Sequence, residues 1–123
     1  MSFAKLGCVV LDCPDPRALA GFYADVLGGT AKDEEDDEGE WVDLRLPDGQ
    51  TLSFQAAPGH VPPTWPSSDG SQQFHLDLVV ADLDEAEKKA LALGAKPLEV
   101  EDRSRTFRVY ADPAGHPFCL CLH

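Results

Sequence analysis

The chain has 123 residues, with 43% hydrophobic and 26% charged side chains, a size suited to one compact domain that buries roughly two-thirds of its unfolded surface and needs no covalent stapling. Ten Lys and Arg against 22 Asp and Glu give a formal charge of −12, which repels a phosphate backbone and an anionic bilayer, so nucleic acid and membrane are poor partners. The longest apolar run near the amino terminus, Cys8 to Leu11, is far too short to span a bilayer, and no basic segment precedes a cleavable apolar core; a soluble, cytoplasmic protein is expected.

The first strand signal covers Cys8 to Cys13. Asp15 then caps a helix with Pro16 in its first turn, and Leu19, Phe22, Tyr23, Val26 and Leu27 recur at helical spacing up to Gly28-Gly29. Seven of the eight residues from Asp33 to Glu40 are acidic, a composition that predicts a solvated loop rather than a cation site. Trp41 to Leu46 and Thr51 to Gln55 alternate as strands across Pro47-Asp48-Gly49. Ala57 to Gln73, rich in Pro, Gly and Ser and carrying His60 and Trp65, reads as a linker that can fold over a site as a lid.

The second half repeats this plan. Cys8 to Asp15 aligns with His75 to Asp82 at an offset of 67, which becomes 66 from Gly28/Gly94 through Pro47/Pro113 and Gly49/Gly115. Asp82 caps a second helix with Glu85 three residues on, Leu83, Ala86, Ala90 and Leu93 form a narrower apolar stripe, and Gly94 stops it. Phe107 to Ala111 and Phe118 to Leu122 then form strands across Pro113-Ala114-Gly115; in both halves the strand directly after the helix gives the weakest signal. The expectation is an α+β fold of tandem βαβββ modules whose curved mixed sheets surround a cup, with the helices on the outer face: module one 1–56, connecting segment 57–73 and module two 74–123 of a single domain.

Strand parity sorts the candidate site. Val9, Leu11 and Cys13, like Leu76, Leu78 and Val80, suit the helix-covered face, so Cys8, Val10 and Asp12 share the other face with their counterparts His75, Asp77 and Val79. Ser53 and Gln55 match Cys119 and Cys121 on that more polar face, and Trp41 and Phe107 share its parity as aromatic walls. The candidate ligand-binding residues are therefore Cys8, Trp41, Ser53, Gln55, Trp65, His75, Asp77, Phe107 and Cys119, with His75 and Asp77 as candidates for catalysis. The four cysteines sit in apolar, strand-like segments with neither a disulfide framework nor a C-x-x-C pair, and are expected as reduced, space-filling thiols.

The opening strand followed by Asp12-Cys13-Pro14-Asp15-Pro16, the segments Pro62-Pro63-Thr64-Trp65-Pro66 and Gln73-Phe74-His75-Leu76-Asp77, the stretch Asp112-Pro-Ala-Gly-His-Pro-Phe118 and the duplicated plan resemble the vicinal oxygen chelate superfamily. That superfamily includes glyoxalase I, extradiol dioxygenases, fosfomycin-modifying enzymes and bleomycin-binding proteins. The resemblance is strongest to its small bacterial glyoxalase-like domains and spans residues 6–122. It implies His, Gln or Glu at the positions held here by Cys8, Ser53, His75 and Cys119, of which only His75 conforms. No cofactor is therefore expected, since Mn, Fe, Ni and Mg favour oxygen or imidazole donors. A zinc site made of Cys8, His75 and Cys119 is the metal alternative. The expected function is binding of a small organic molecule, cationic or aromatic, in a polar cup. The alternative is a lyase, isomerase or dioxygenase of the superfamily, either zinc-dependent or metal-free with His75 as base, Asp77 as its acid partner and a thiolate at Cys8 or Cys119 as a nucleophile. A purely structural module would instead fill the cup with its own side chains. The resemblance also implies a homodimer.

Overall fold

The computed structural model describes residues 2, 5–33, 39–65 and 74–122. Residues 34–38 of the acidic run and 66–73 of the connecting segment lie outside them. Two compact units divide between His60 and Val61. Each is one four-stranded mixed sheet with one helix, an α+β arrangement.

In the first unit the chain runs β1 (Val9–Cys13), α1 (Pro16–Leu27), β2 (Thr30–Asp33), β3 (Trp41–Arg45) and β4 (Thr51–Ala56). The sheet order is β1-β4-β3-β2. β4 lies parallel to β1, with Val9 opposite Leu52, and antiparallel to β3. Asp15 caps α1 by accepting from the Ala18 amide at 3.2 Å, and Pro16 stands where its missing N–H costs nothing. At the far end Gly28 and Gly29 both take positive φ (81° and 98°), and a Cβ on Gly29 would run into the Arg45 carbonyl. That turn admits only glycine.

The apolar stripe of α1 packs on the sheet through Leu19, Ala20, Phe22 and Tyr23, all buried, against Val42, Leu44, Leu52 and Phe54. The Tyr23 ring stacks on Phe54 at 5.8 Å, and each such side chain contributes about 1.5–3 kcal/mol by leaving water. One expectation needs correcting here. Asp33, read as the start of a solvated loop, is the last residue of β2, and its carboxylate holds Arg17 of α1 at 2.6 Å.

The second unit runs β5 (Leu76–Val79), α2 (Leu83–Ala92), β6 (Lys96–Glu99), β7 (Phe107–Ala111) and β8 (Pro117–Cys121), in the order β5-β8-β7-β6 with β8 parallel to β5. Asp82 caps α2 through the amides of Asp84 and Glu85 at 3.0 and 3.1 Å. Tyr110 stacks on Phe118 at 5.7 Å beneath this helix. The layer is not wholly apolar, because Arg108 is only 4% exposed. Its guanidinium meets Asp84 at 2.9 Å and Glu87 at 3.6 Å, and Tyr110 donates to Glu87 at 2.8 Å. The narrow stripe of α2 is thus completed by a charged network. No helix among the described residues is long and apolar enough to cross a membrane.

Candidate functional site

The parallel register of β5 and β8 sets Asp77 beside Cys119 and Val79 beside Cys121. His75, two residues before Asp77, shares its face. The His75 Nε2 lies 3.1 Å from Asp77 Oδ1, and the donor atoms of His75, Asp77 and Cys119 all lie within 4.8 Å of one another. Burial, then the Asp77 carboxylate, pushes the Cys119 thiol up to about 12, and the same two causes raise Cys121. Asp77 is therefore a single carboxylate shared by an imidazole and two protonated thiols. Both causes act against a thiolate at Cys119, whose proton is held towards Asp77.

Trp65 joins the same cluster. Its ring stands edge-on to His75, with centroids 5.5 Å apart and planes at 78°. Its segment is fixed beside the β7–β8 turn, where a Cβ on Gly115 would strike Pro62. The turn itself is built by Asp112, which is 2% exposed and accepts from the amides of Ala114 and His116 at 2.9 and 3.0 Å. Phe107 is paired with Cys121 across the strands, half-exposed beneath the Arg105 guanidinium at 5.3 Å.

The first unit builds a related arrangement from different strands. Asp43 on β3 faces Ser53 on β4. The Ser53 hydroxyl donates to Asp43 Oδ1 at 2.6 Å, and the Trp41 indole N–H donates to the same oxygen at 2.8 Å. Ser53 is completely buried. Gln55 is exposed, in register with Trp41 on one side and Asp12 on the other. Cys8 is half-buried, just before β1. Parity thus brings together His75, Asp77 and Cys119 in one unit, where Trp65 joins them from the connecting segment, and Trp41 and Ser53 in the other. Within the second unit the third donor beside His75 and Cys119 is Asp77; Cys8 belongs to the first. Cys13 and Cys119 are buried and Cys8 and Cys121 half-buried.

One participant escapes the sequence reading: Asp43, which shares Trp41's parity and lies across from Ser53. Cys121, placed on the polar face by its parity, stands two residues beyond Cys119 on one strand.

Duplicated βαβββ units, each with its first and last strands parallel and a polar face opposite the helix, define a protein of the vicinal oxygen chelate superfamily. The family model of the glyoxalase-like domain matches residues 8–121, and the chain belongs to that family. No curated protein matches the sequence. Among solved structures, a protein of Agrobacterium tumefaciens superposes with a TM-score of 0.70 at 18% identity, covering 98% of each chain. A possible glyoxalase of Bacillus cereus gives 0.69 at 14% identity, over 97% of this chain and 99% of its own. A glyoxalase/bleomycin resistance protein/dioxygenase family enzyme of Burkholderia phytofirmans gives 0.65 at 20% identity, over 95% and 97%. Likeness at these identities establishes the fold, which hosts many activities.

Proposed function

We propose that this chain binds a small organic molecule on the polar sheet face carried by His75, Asp77 and Cys119, without a metal at the positions its superfamily uses for one. The observation that carries this reading is that the groups standing at those positions are already committed within the protein. The Ser53 hydroxyl donates to Asp43, and the Cys119 thiol keeps its proton against Asp77 up to about 12. A hard divalent ion, which favours oxygen and imidazole ligands, finds only His75 of the usual set. The donors therefore do not fit such an ion. They do fit a ligand recognised by hydrogen bonds and flat apolar contact, with Trp65 and Phe107 on the same unit. The net charge of −12 favours cationic or neutral ligands over anions. Assembly as a homodimer belongs to the same reading.

His75 tests it. Its side chain is 35% exposed, so water can take over its hydrogen bonds, and His75→Ala without ligand is expected to cost less than about 1 kcal/mol. Hits from a library weighted toward cationic aromatic and chelating compounds should raise the melting temperature of the wild type and lose at least about tenfold in affinity in the variant, equivalent to about 1.4 kcal/mol. A strongly destabilised apo variant, or hits that bind both proteins equally, would contradict the assignment.

A second reading rests on the close approach of His75, Asp77 and Cys119, a nitrogen, oxygen and sulfur set of the kind zinc accepts. Binding would have to displace the tightly held Cys119 proton. Elemental analysis after expression with zinc, iron, manganese and nickel is expected to find far less than one metal ion per chain. One ion per chain, lost in His75→Ala, would replace the metal-free reading with the zinc one. Metal-free catalysis with His75 as base draws its support from the Asp77 carboxylate at 3.1 Å, which orients the imidazole.

A further inference from the structure

The two tryptophans of this chain differ in one respect that bears on what the site recognises. The Trp41 N–H is spent on Asp43 at 2.8 Å. The Trp65 N–H is buried and has no hydrogen-bond partner among the described residues, although a buried donor is nearly always paired in a folded protein. Its ring is the immediate neighbour of His75, and the segment that carries it is held against Gly115 through Pro62. The ring that carries this donor is thus placed in advance beside His75, one member of the His75–Asp77–Cys119 cluster.

We propose that the Trp65 indole N–H donates to the bound ligand, and that the ligand presents to it a neutral acceptor oxygen, a carbonyl of amide or ketone type on a planar ring. The inference rests on the binding reading above and adds the ligand's chemical class. The acceptor follows from the orphaned donor: indole N–H can only donate, so its partner must carry a lone pair. Neutrality follows from the surroundings. Asp77 lies 3.1 Å from His75, and the chain carries −12 overall; a carboxylate or phosphate placed here would face like charge at short range. The planar ring follows from the edge-on Trp65–His75 pair, whose flat surfaces favour an aromatic or conjugated body.

The full chain labelled with [15N]tryptophan gives two indole N–H signals, and the one absent from Trp65→Phe belongs to Trp65. Phenylalanine keeps a ring at the His75 edge and removes only the donor. Benzamide and benzoate, alike in shape and different in charge, are the probes. Benzamide is expected to move the Trp65 signal, to bind about tenfold more weakly to Trp65→Phe, the worth of one net hydrogen bond, and to bind more tightly than benzoate. Benzamide binding that leaves the Trp65 signal unmoved, or that is equal in the two proteins, overturns the donor role while leaving the site reading intact. Benzoate binding as tightly as benzamide overturns the neutral acceptor, and failure of both probes to bind overturns the proposal whole. The site reading fails separately, through a library melt that yields no hit dependent on His75.

Discussion

Replacing Glu87 by alanine is expected to lower the unfolding free energy by about 3 kcal/mol at neutral pH, although the residue lies on the helix opposite the candidate site's face. Glu87 accepts from Tyr110 at 2.8 Å and from Arg103 at 3.1 Å, and its second oxygen lies 3.6 Å from Arg108. Without it the Arg108 side chain, 5% exposed, keeps Asp84 and the Tyr110 hydroxyl as its neighbours but loses the second carboxylate, and the Tyr110 hydroxyl loses its acceptor. Stranding a buried charge in this way costs about 3–5 kcal/mol, and the surviving bond to Asp84 sets this case at the lower end. Burial alone would raise the Glu87 carboxyl, but bonds from Tyr110 and Arg103 and the charges of Arg103 and Arg108 outweigh it and hold the group below its ordinary value. A lowered folded-state value means that the stabilisation is complete above the unfolded value near 4.5 and disappears as pH falls through the folded value. Urea denaturation of both proteins between neutral pH and pH 3 should therefore show a gap that narrows below about pH 4.5. A gap under about 1 kcal/mol at neutral pH, or one that widens in acid, would show that the network contributes little.

Asp43→Ala is expected to cost about 2 kcal/mol, and Asp43→Asn less than about 1 kcal/mol. The contrast comes from geometry. Ser53 and Trp41 both donate to one oxygen, Oδ1, and an amide oxygen in that place can accept both bonds without the charge. Alanine leaves the Ser53 hydroxyl with no acceptor at a position with 0% exposure, and an unsatisfied buried donor costs about 1–3 kcal/mol. Equal losses in the two variants would show that the carboxylate's charge, rather than its acceptor oxygen, matters there.

The contrast between these two networks explains what the sequence discloses. Strand boundaries near Trp41, Thr51, Phe107 and Phe118 and both helix caps follow from local chemistry: alternation, turn residues, and Asp15 and Asp82 ahead of their helices. Parity likewise sets His75, Asp77 and Cys119 on one face, because a side-chain period of two is rigid over a few residues. β2 and β6 give fainter signals because Thr30–Asp33 is exposed throughout and Lys96–Glu99 carries a register shift against β7, so neither shows clean alternation. Arg108 is illegible for a different reason. Its parity puts it under α2, where an apolar residue is the default, and only the tertiary meeting of Glu87, Asp84 and Tyr110 makes a guanidinium tolerable there. The thin stripe of α2 was the one local hint that something other than carbon fills that layer. Asp43 was missed because acceptor and donor lie ten residues apart, on neighbouring strands.

In both sheets the last strand made is an inner one. β4 inserts between β1 and β3, and β8 between β5 and β7. On a ribosome, then, Val9 waits for Leu52 and Leu76 waits for Phe118 before either opening strand meets its neighbour in the sheet. Each unit emerges with an unzipped lead strand and closes from the middle outward, a distant pairing whose loop-closure entropy must be met before any of its hydrogen bonds form. The Asp77–Cys119 contact is made at that same closing step, so the polar cluster comes into being with the sheet rather than on a finished scaffold.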